Sequence, residues 1–187
     1  ILRIKNAVLG GFSFGGAVVL HYITKYTAAH VSELAFFGAA APSWKQREGF
    51  PYGIPEEVVA NLIHATLTNR EDLIASLGAG FPAKEGNISP NMLKWLEDIN
   101  LEASPFVVTE AITALADLYL LAVLSGIDMP VAIFHGVQDK NCPFICAEEL
   151  NKEIKNSTII RFENSGNALF LEEKEKFNVE LEKFAKS

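Results

Sequence analysis

The chain has 187 residues and a formal net charge of −7 at neutral pH, and 49% of its residues are apolar. That length and apolar content suit one globular domain with a real core and exclude a disordered chain. The acidic balance argues against nucleic acid and anionic membrane surfaces as partners. Cys142 and Cys146 are too few for a disulfide framework, and no histidine lies beside them to complete a metal-ligand set. They read as free thiols of a reducing, cytoplasmic compartment. No apolar run approaches the roughly 18 residues of a membrane-spanning helix; Leu115 to Leu124 is strongly apolar but short, and it holds Asp117. No secretory signal is visible, because Arg3 and Lys5 lead directly into a strand and a glycine turn.

In chain order, Ala7-Val8-Leu9 is a continuous apolar run, as expected of a strand buried on both faces of a parallel sheet. A glycine-rich stretch follows from Gly10 to Gly16. Ala17 to His30 then reads as a helix, with Ala17, Val18, Leu20, His21 and Tyr22 forming a broad apolar stripe. Leu34 to Phe37 is a second buried strand, ending in Gly38 and three alanines before Pro42. From Ser43 to Asp128 the pattern changes. It predicts helices over Pro55–Leu67, Arg70–Leu77, Pro90–Ile99 and Pro105–Leu124, with Asn69, Ser89 and Ser104 as N-caps and proline at the first helical position after each serine. Gly78, Gly80, Pro82 and Gly86 mark a loop. Strands return at Val131–Phe134 and Ser157–Phe162, with helices predicted over Phe144–Ile154 and Leu169–Ala185. Strands alternating with helices imply a parallel sheet with right-handed crossovers.

Gly11-Phe12-Ser13-Phe14-Gly15 places a serine between a buried strand and a helix, with glycines two residues to either side. A turn that tight holds its serine in strained backbone geometry, and side chains at the flanking positions would collide with neighbouring elements. Gly16 extends the run of small residues. The backbone N–H of Phe14 would sit at the helix start, where it can help hold an oxyanion. A glycine-rich turn with an incidental serine is the competing reading; the position between strand and helix favours a nucleophile.

Asp139 follows a buried strand in Phe134-His135-Gly136-Val137-Gln138-Asp139, with Pro143 four residues on. With Ser13 upstream, this string resembles the acid loop of the α/β-hydrolase family, in which the aspartate orients and stabilises a histidine base. The resemblance continues in Ser165-Gly166-Asn167-Ala168-Leu169-Phe170, where the family pattern is Gly-His before an apolar helix start. Here Asn167 stands in the histidine's place. The order Ser13, Asp139, residue 167 is the nucleophile, acid, base order that the family implies. Asparagine has no titratable nitrogen and cannot take up the serine proton. Losing the base of such a unit costs on the order of a millionfold in kcat, so this form is expected to be inactive or strongly impaired. Asn167 is either an engineered replacement or a natural loss; the intact flanks favour engineering or a recent loss.

The resemblance implies an α/β class and a parallel-sheet α/β-hydrolase fold, strands 5–8 of the full fold, with a helical cap insertion. Residues 1–42 and 129–187 would form the core and residues 43–128 the cap. It implies a serine hydrolase acting on small hydrophobic esters or related carbonyl substrates, with no metal, nucleotide or flavin motif in view. A non-catalytic ligand-binding relative is the alternative, and perhydrolase, C–C hydrolase and cofactor-free oxygenase chemistry on the same fold stay open. The strand at Ala7–Leu9 would be a bare apolar edge, so a separate or cleaved N-terminal segment is expected to pair with it. The cap faces Val58, Val59, Leu62, Ile63, Leu73, Ile74, Leu77, Leu93 and Leu96 read mostly as cap core, with a minority on a pocket. Trp44 and Trp95 fit packing or substrate contact equally. His21, His30 and His135 read as structural, and His64 as a remote candidate for a substitute base.

Overall fold

The computed structural model describes residues 5–26 and 28–187. Four parallel strands form one sheet: β1 (Ala7–Phe12), β2 (Val31–Phe37), β3 (Val131–Gly136) and β4 (Ser157–Phe162), hydrogen-bonded in that order. All six residues of β3 are buried, which is why its sequence is a continuous apolar run rather than an alternating one. Along β2 the period of two divides the core. Leu34 and Phe36 join Leu20, Ile133, Leu150 and Ile154 on one face, while Ala35 joins Phe134, Phe162 and Leu169 on the other. Each fully buried Phe or Leu contributes about 1.5–3 kcal/mol to holding these layers together.

Helix α1 (Phe14–Lys25) starts directly after Ser13 and ends earlier than the expected His30, with Tyr26 extended. The chain beyond is drawn into the start of β2: Val31 N–H donates to Ala28 O and Ala7 N–H to His30 O, both at 2.9 Å. Helices α2 (Glu56–Thr68), α3 (Arg70–Ala79), α4 (Pro90–Glu102) and α5 (Pro105–Asp117) occupy the middle of the chain. Ser89 caps α4 by accepting from Met92 N–H at 3.3 Å. Ser104 and Asn69 make no such bond; Asn69 instead donates to the Asp72 carboxylate at 2.8 Å.

Two expected helices are each broken. α5 stops at Asp117 rather than Leu124, because Arg47 takes the Ala116 carbonyl and Leu120 N–H bonds back to Pro42 O at 3.0 Å. The remaining apolar run forms a 3₁₀ turn over Leu121–Gly126, and Leu120, Leu124 and Ile127 are sunk in the core. After α6 (Ile145–Glu153), the closing segment divides into α7 (Leu169–Glu172) and α8 (Lys174–Ala185). The break falls at Glu173, whose carboxylate turns back to accept from Asn164 N–H at 3.0 Å and Ser165 Oγ–H at 2.7 Å. Among the described residues β1 pairs with β2 alone, and Phe14, Val18, Tyr22 and Tyr26 leave an exposed apolar stripe at four-residue intervals on and just beyond α1. No helix among the described residues is long and apolar enough to cross a membrane.

Candidate active site

Ser13 sits at the tip of the bend between β1 and α1 with φ 49° and ψ −116°. This is positive-φ backbone that a serine adopts only when its surroundings impose it. The imposition is visible: Ser13 N–H donates to Phe37 O at 2.9 Å, and Ser13 O accepts from Gly16 and Ala40 N–H, both at 3.0 Å. Gly11 is required, since a Cβ there would lie 2.3 Å from Gly15 O. Gly15 is not, because a Cβ there would meet nothing within 4 Å. The second steric demand falls on Gly16, whose Cβ would be 2.4 Å from Ala39 Cβ. The glycine two residues after the serine is therefore dispensable here, and the one three residues after it is not. Phe14 opens α1, so its N–H has no acceptor within the helix.

Asp139 is buried in the loop after β3, and its carboxylate is filled by donors. Oδ1 accepts from Asn141 N–H at 2.9 Å and Cys142 N–H at 2.8 Å, and Oδ2 accepts from Asn167 Nδ2 at 2.7 Å. Burial pushes its pKa above the ordinary carboxylate value; His135, Asn167 and the two backbone N–H groups pull the other way. His135, fully buried on β3, donates from Nε2 to Cys142 O at 2.7 Å and lies 3.5 Å from Asp139 Oδ2. Burial holds its pKa below 6.5, with Asp139 and the Cys142 carbonyl opposing. Asn167 is buried, and its Nδ2 also donates to Gly38 O at 3.3 Å.

The structure thus brings Asp139 and Asn167 into direct contact. Among the described residues the Ser13 hydroxyl meets the Cys142 thiol, at 4.0 Å, and no hydrogen bond joins it to Asn167. Ser13 and Asn167 share the wall of one cavity of about 880 Å³, lined also by Phe12, Phe14, Cys142 and Phe170. The far wall is built from α2 to α5. Of the nine apolar positions expected mostly in a helical core, seven line this cavity: Val58, Leu62, Leu73, Ile74, Leu77, Leu93 and Leu96. The helices splay around an open cleft, which reverses the expected balance. Trp44 is on the wall, whereas Trp95 is 58% exposed and off it. His64 is exposed on α2 and off the wall, so it does not stand in as a base.

Three participants escaped the sequence reading. Gly38, at φ 51°, makes room for the Asp139–Asn167 pair: a Cβ there would lie 2.8 Å from Asn167 Nδ2. Its signal was a glycine directly after a buried strand. Cys142 is buried beside Ser13, and its thiol pKa is raised well above 9 by burial and by Asp139. Glu172 accepts from the backbone N–H groups of Ala83 and Gly166, on two different loops, and nothing local in the sequence marks it.

A serine on a strained strand-to-helix bend, a buried carboxylate after a later strand and a helical roof over both define the α/β-hydrolase class. No protein-family model matches the chain. The AB hydrolase superfamily protein YisY of Bacillus subtilis is 37% identical over 186 residues, spanning all of this chain and 69% of that protein. An esterase (EaEST) from Exiguobacterium antarcticum superposes with a TM-score of 0.95 at 36% identity, over 99% of this chain and 68% of that one. A bromoperoxidase from Bacillus anthracis gives a TM-score of 0.93 at 25% identity, over 99% and 69%. The chain belongs to the AB hydrolase superfamily.

Proposed function

We propose that this chain carries the site of a serine hydrolase for hydrophobic esters or related carbonyl substrates, in a form whose base position holds Asn167. Ser13 is the nucleophile, Asp139 the orienting acid, Phe14 N–H an oxyanion donor, and residue 167 the base position. The observation carrying this reading is the 2.7 Å bond from Asn167 Nδ2 to a buried Asp139 carboxylate, on the wall of the cavity that Ser13 also lines. Residues 43–128 act as the cap and the rest as the core. The cavity's apolar lining and its volume of about 880 Å³ suit small esters and leave room for longer chains. With Asn167 in place turnover is absent or strongly reduced. Asn167→His tests this: p-nitrophenyl acetate hydrolysis and labelling of Ser13 by a serine-directed phosphonate should both rise by orders of magnitude. Unchanged rates in a folded variant would refute it.

A second reading, a ligand-binding protein without catalysis, is favoured by one observation: the Asn167 amide already satisfies Asp139 and Gly38. The open edge of β1 and the exposed stripe from Phe14 to Tyr26 support a further segment pairing with β1 and covering α1. Free Cys142 and Cys146 support a cytoplasmic location. Intact mass and size-exclusion of material purified from cells test the first of these.

A further inference from the structure

Resting on the assignment of position 167 as the base position, we propose that Glu172 is a positioning residue that locks the turn carrying residue 167 to the cavity wall. One carboxylate oxygen accepts from Gly166 N–H at 2.7 Å, and the other accepts from Ala83 N–H at 2.8 Å and Asn87 Nδ2 at 2.7 Å. Gly166 precedes Asn167, and Ala168, which follows it, donates its N–H to Phe81 O at 3.2 Å. The base position is therefore tied on both sides to the loop between α3 and α4. The contact is backbone on backbone: a Cβ on Gly166 would lie 2.8 Å from Phe81 O, from Pro82 C and from Ala83 N. Lys140 Nζ donates to Ala83 O at 3.3 Å, so the acid loop is held to the same segment. Phe81 and Phe170 lie edge-on to Phe12, with centroids 5.9 Å and 5.0 Å away, and both line the cavity. One carboxylate thus sets the backbone at residue 167 and the aromatic wall that a substrate meets.

Glutamine keeps one acceptor oxygen and turns an NH2 toward a backbone N–H, so Glu172→Gln breaks one side of the lock at constant size. Amide hydrogen exchange on the chain itself reads the lock without catalysis. In Glu172→Gln, Gly166 or Ala83 should exchange at least about tenfold faster, while Ile133 and Phe134 in β3 keep their protection. No acceleration, or equal acceleration through β3, overturns the proposal. In the Asn167→His background, Glu172→Gln should lower kcat for p-nitrophenyl acetate about tenfold with KM within about twofold, and raise KM for the octanoate. Unchanged kcat and KM overturn the positioning role. If Asn167→His itself brings no turnover, the hydrolase reading falls, and exchange alone decides the lock. Should Glu172→Gln not fold, Asn87→Ala replaces it: faster exchange confined to Ala83 and its neighbours supports the lock, and none overturns it.

Discussion

His135 should make this protein acid-sensitive in a window well above that of ordinary carboxylates. Its Nε2–H is committed to Cys142 O at 2.7 Å, which fixes the neutral tautomer and leaves Nδ1 as a bare lone pair. Nδ1 is buried with no hydrogen-bond partner among the described residues. Protonation would bury a charged N–H facing no acceptor, so the folded-state pKa lies below the ordinary 6.5. The sign follows directly. Below 6.5 the unfolded chain binds a proton that the folded chain refuses, so stability is full above 6.5 and is lost as pH falls through it. Between pH 7.5 and 5.5 an unfolded imidazole gains about 1.4 kcal/mol from protonation, which is the ceiling on what the fold loses through His135. With a urea m-value of about 2 kcal/mol/M, the midpoint should fall by up to about 0.7 M through this residue. His135→Gln keeps a donor for Cys142 O and removes the titration. The buried Asp139 works in the opposite sense, because a carboxyl pushed up by burial returns stability as pH falls. Asp139 is present in both proteins, and without His135 to oppose the upward shift its contribution in His135→Gln keeps the same sign. Urea melts of the chain and of His135→Gln at the two pH values decide the matter. Equal midpoint drops would refute a neutral, buried His135.

Gly38→Ala should cost about 2–3 kcal/mol, since it combines positive φ with a Cβ 2.8 Å from Asn167 Nδ2; thermal melts check this, and a cost under about 0.5 kcal/mol would contradict it. The two elbow glycines should separate cleanly. Gly15→Ala should be neutral or stabilising by up to about 1 kcal/mol through helix propensity, whereas Gly16→Ala should destabilise by about 1–3 kcal/mol against Ala39. Equal effects on the urea midpoint would show that the close approach has been misplaced.

β3 was legible because burial on both faces writes a continuous apolar run, whereas β1 and β4, each with a single buried residue, are less fully covered. The proline-led helices were legible because Ser-Pro marks a helix start locally. What failed was set by partners far away in sequence. Nothing near Leu118 announces that Arg47 and Pro42 will take the bonds ending α5, and nothing near Glu173 announces that Asn164 and Ser165 will take its carboxylate. Ser13, Asp139 and Asn167 could be singled out because each stands in a short string with its own shape. Their meeting could not be derived from periodicity, and neither could the splaying of α2 to α5 around a cavity. Apolar periodicity marks a face as apolar, not whether it packs on another side chain or lines a cleft.

On the proposed reading, the Asp139–Asn167 bond would let the site keep its architecture without its base. In histidine, Nδ1 is bonded to Cγ; in asparagine, Nδ2 is bonded to Cγ as well. The two side chains therefore present an N–H donor at the same number of bonds from the backbone, and the 2.7 Å bond to Asp139 Oδ2 would stand for the one an orienting aspartate makes to a histidine base. Asparagine reproduces the half of the imidazole that faces the acid. It has no counterpart of Nε2, the half that would face Ser13, and no hydrogen bond reaches the Ser13 hydroxyl from it among the described residues. Asp139 has three N–H donors in place, from Asn141, Cys142 and Asn167. On that reading the missing partner is the serine's. Asn167→His should then raise the turnover of p-nitrophenyl acetate while keeping the N–H contact to Asp139.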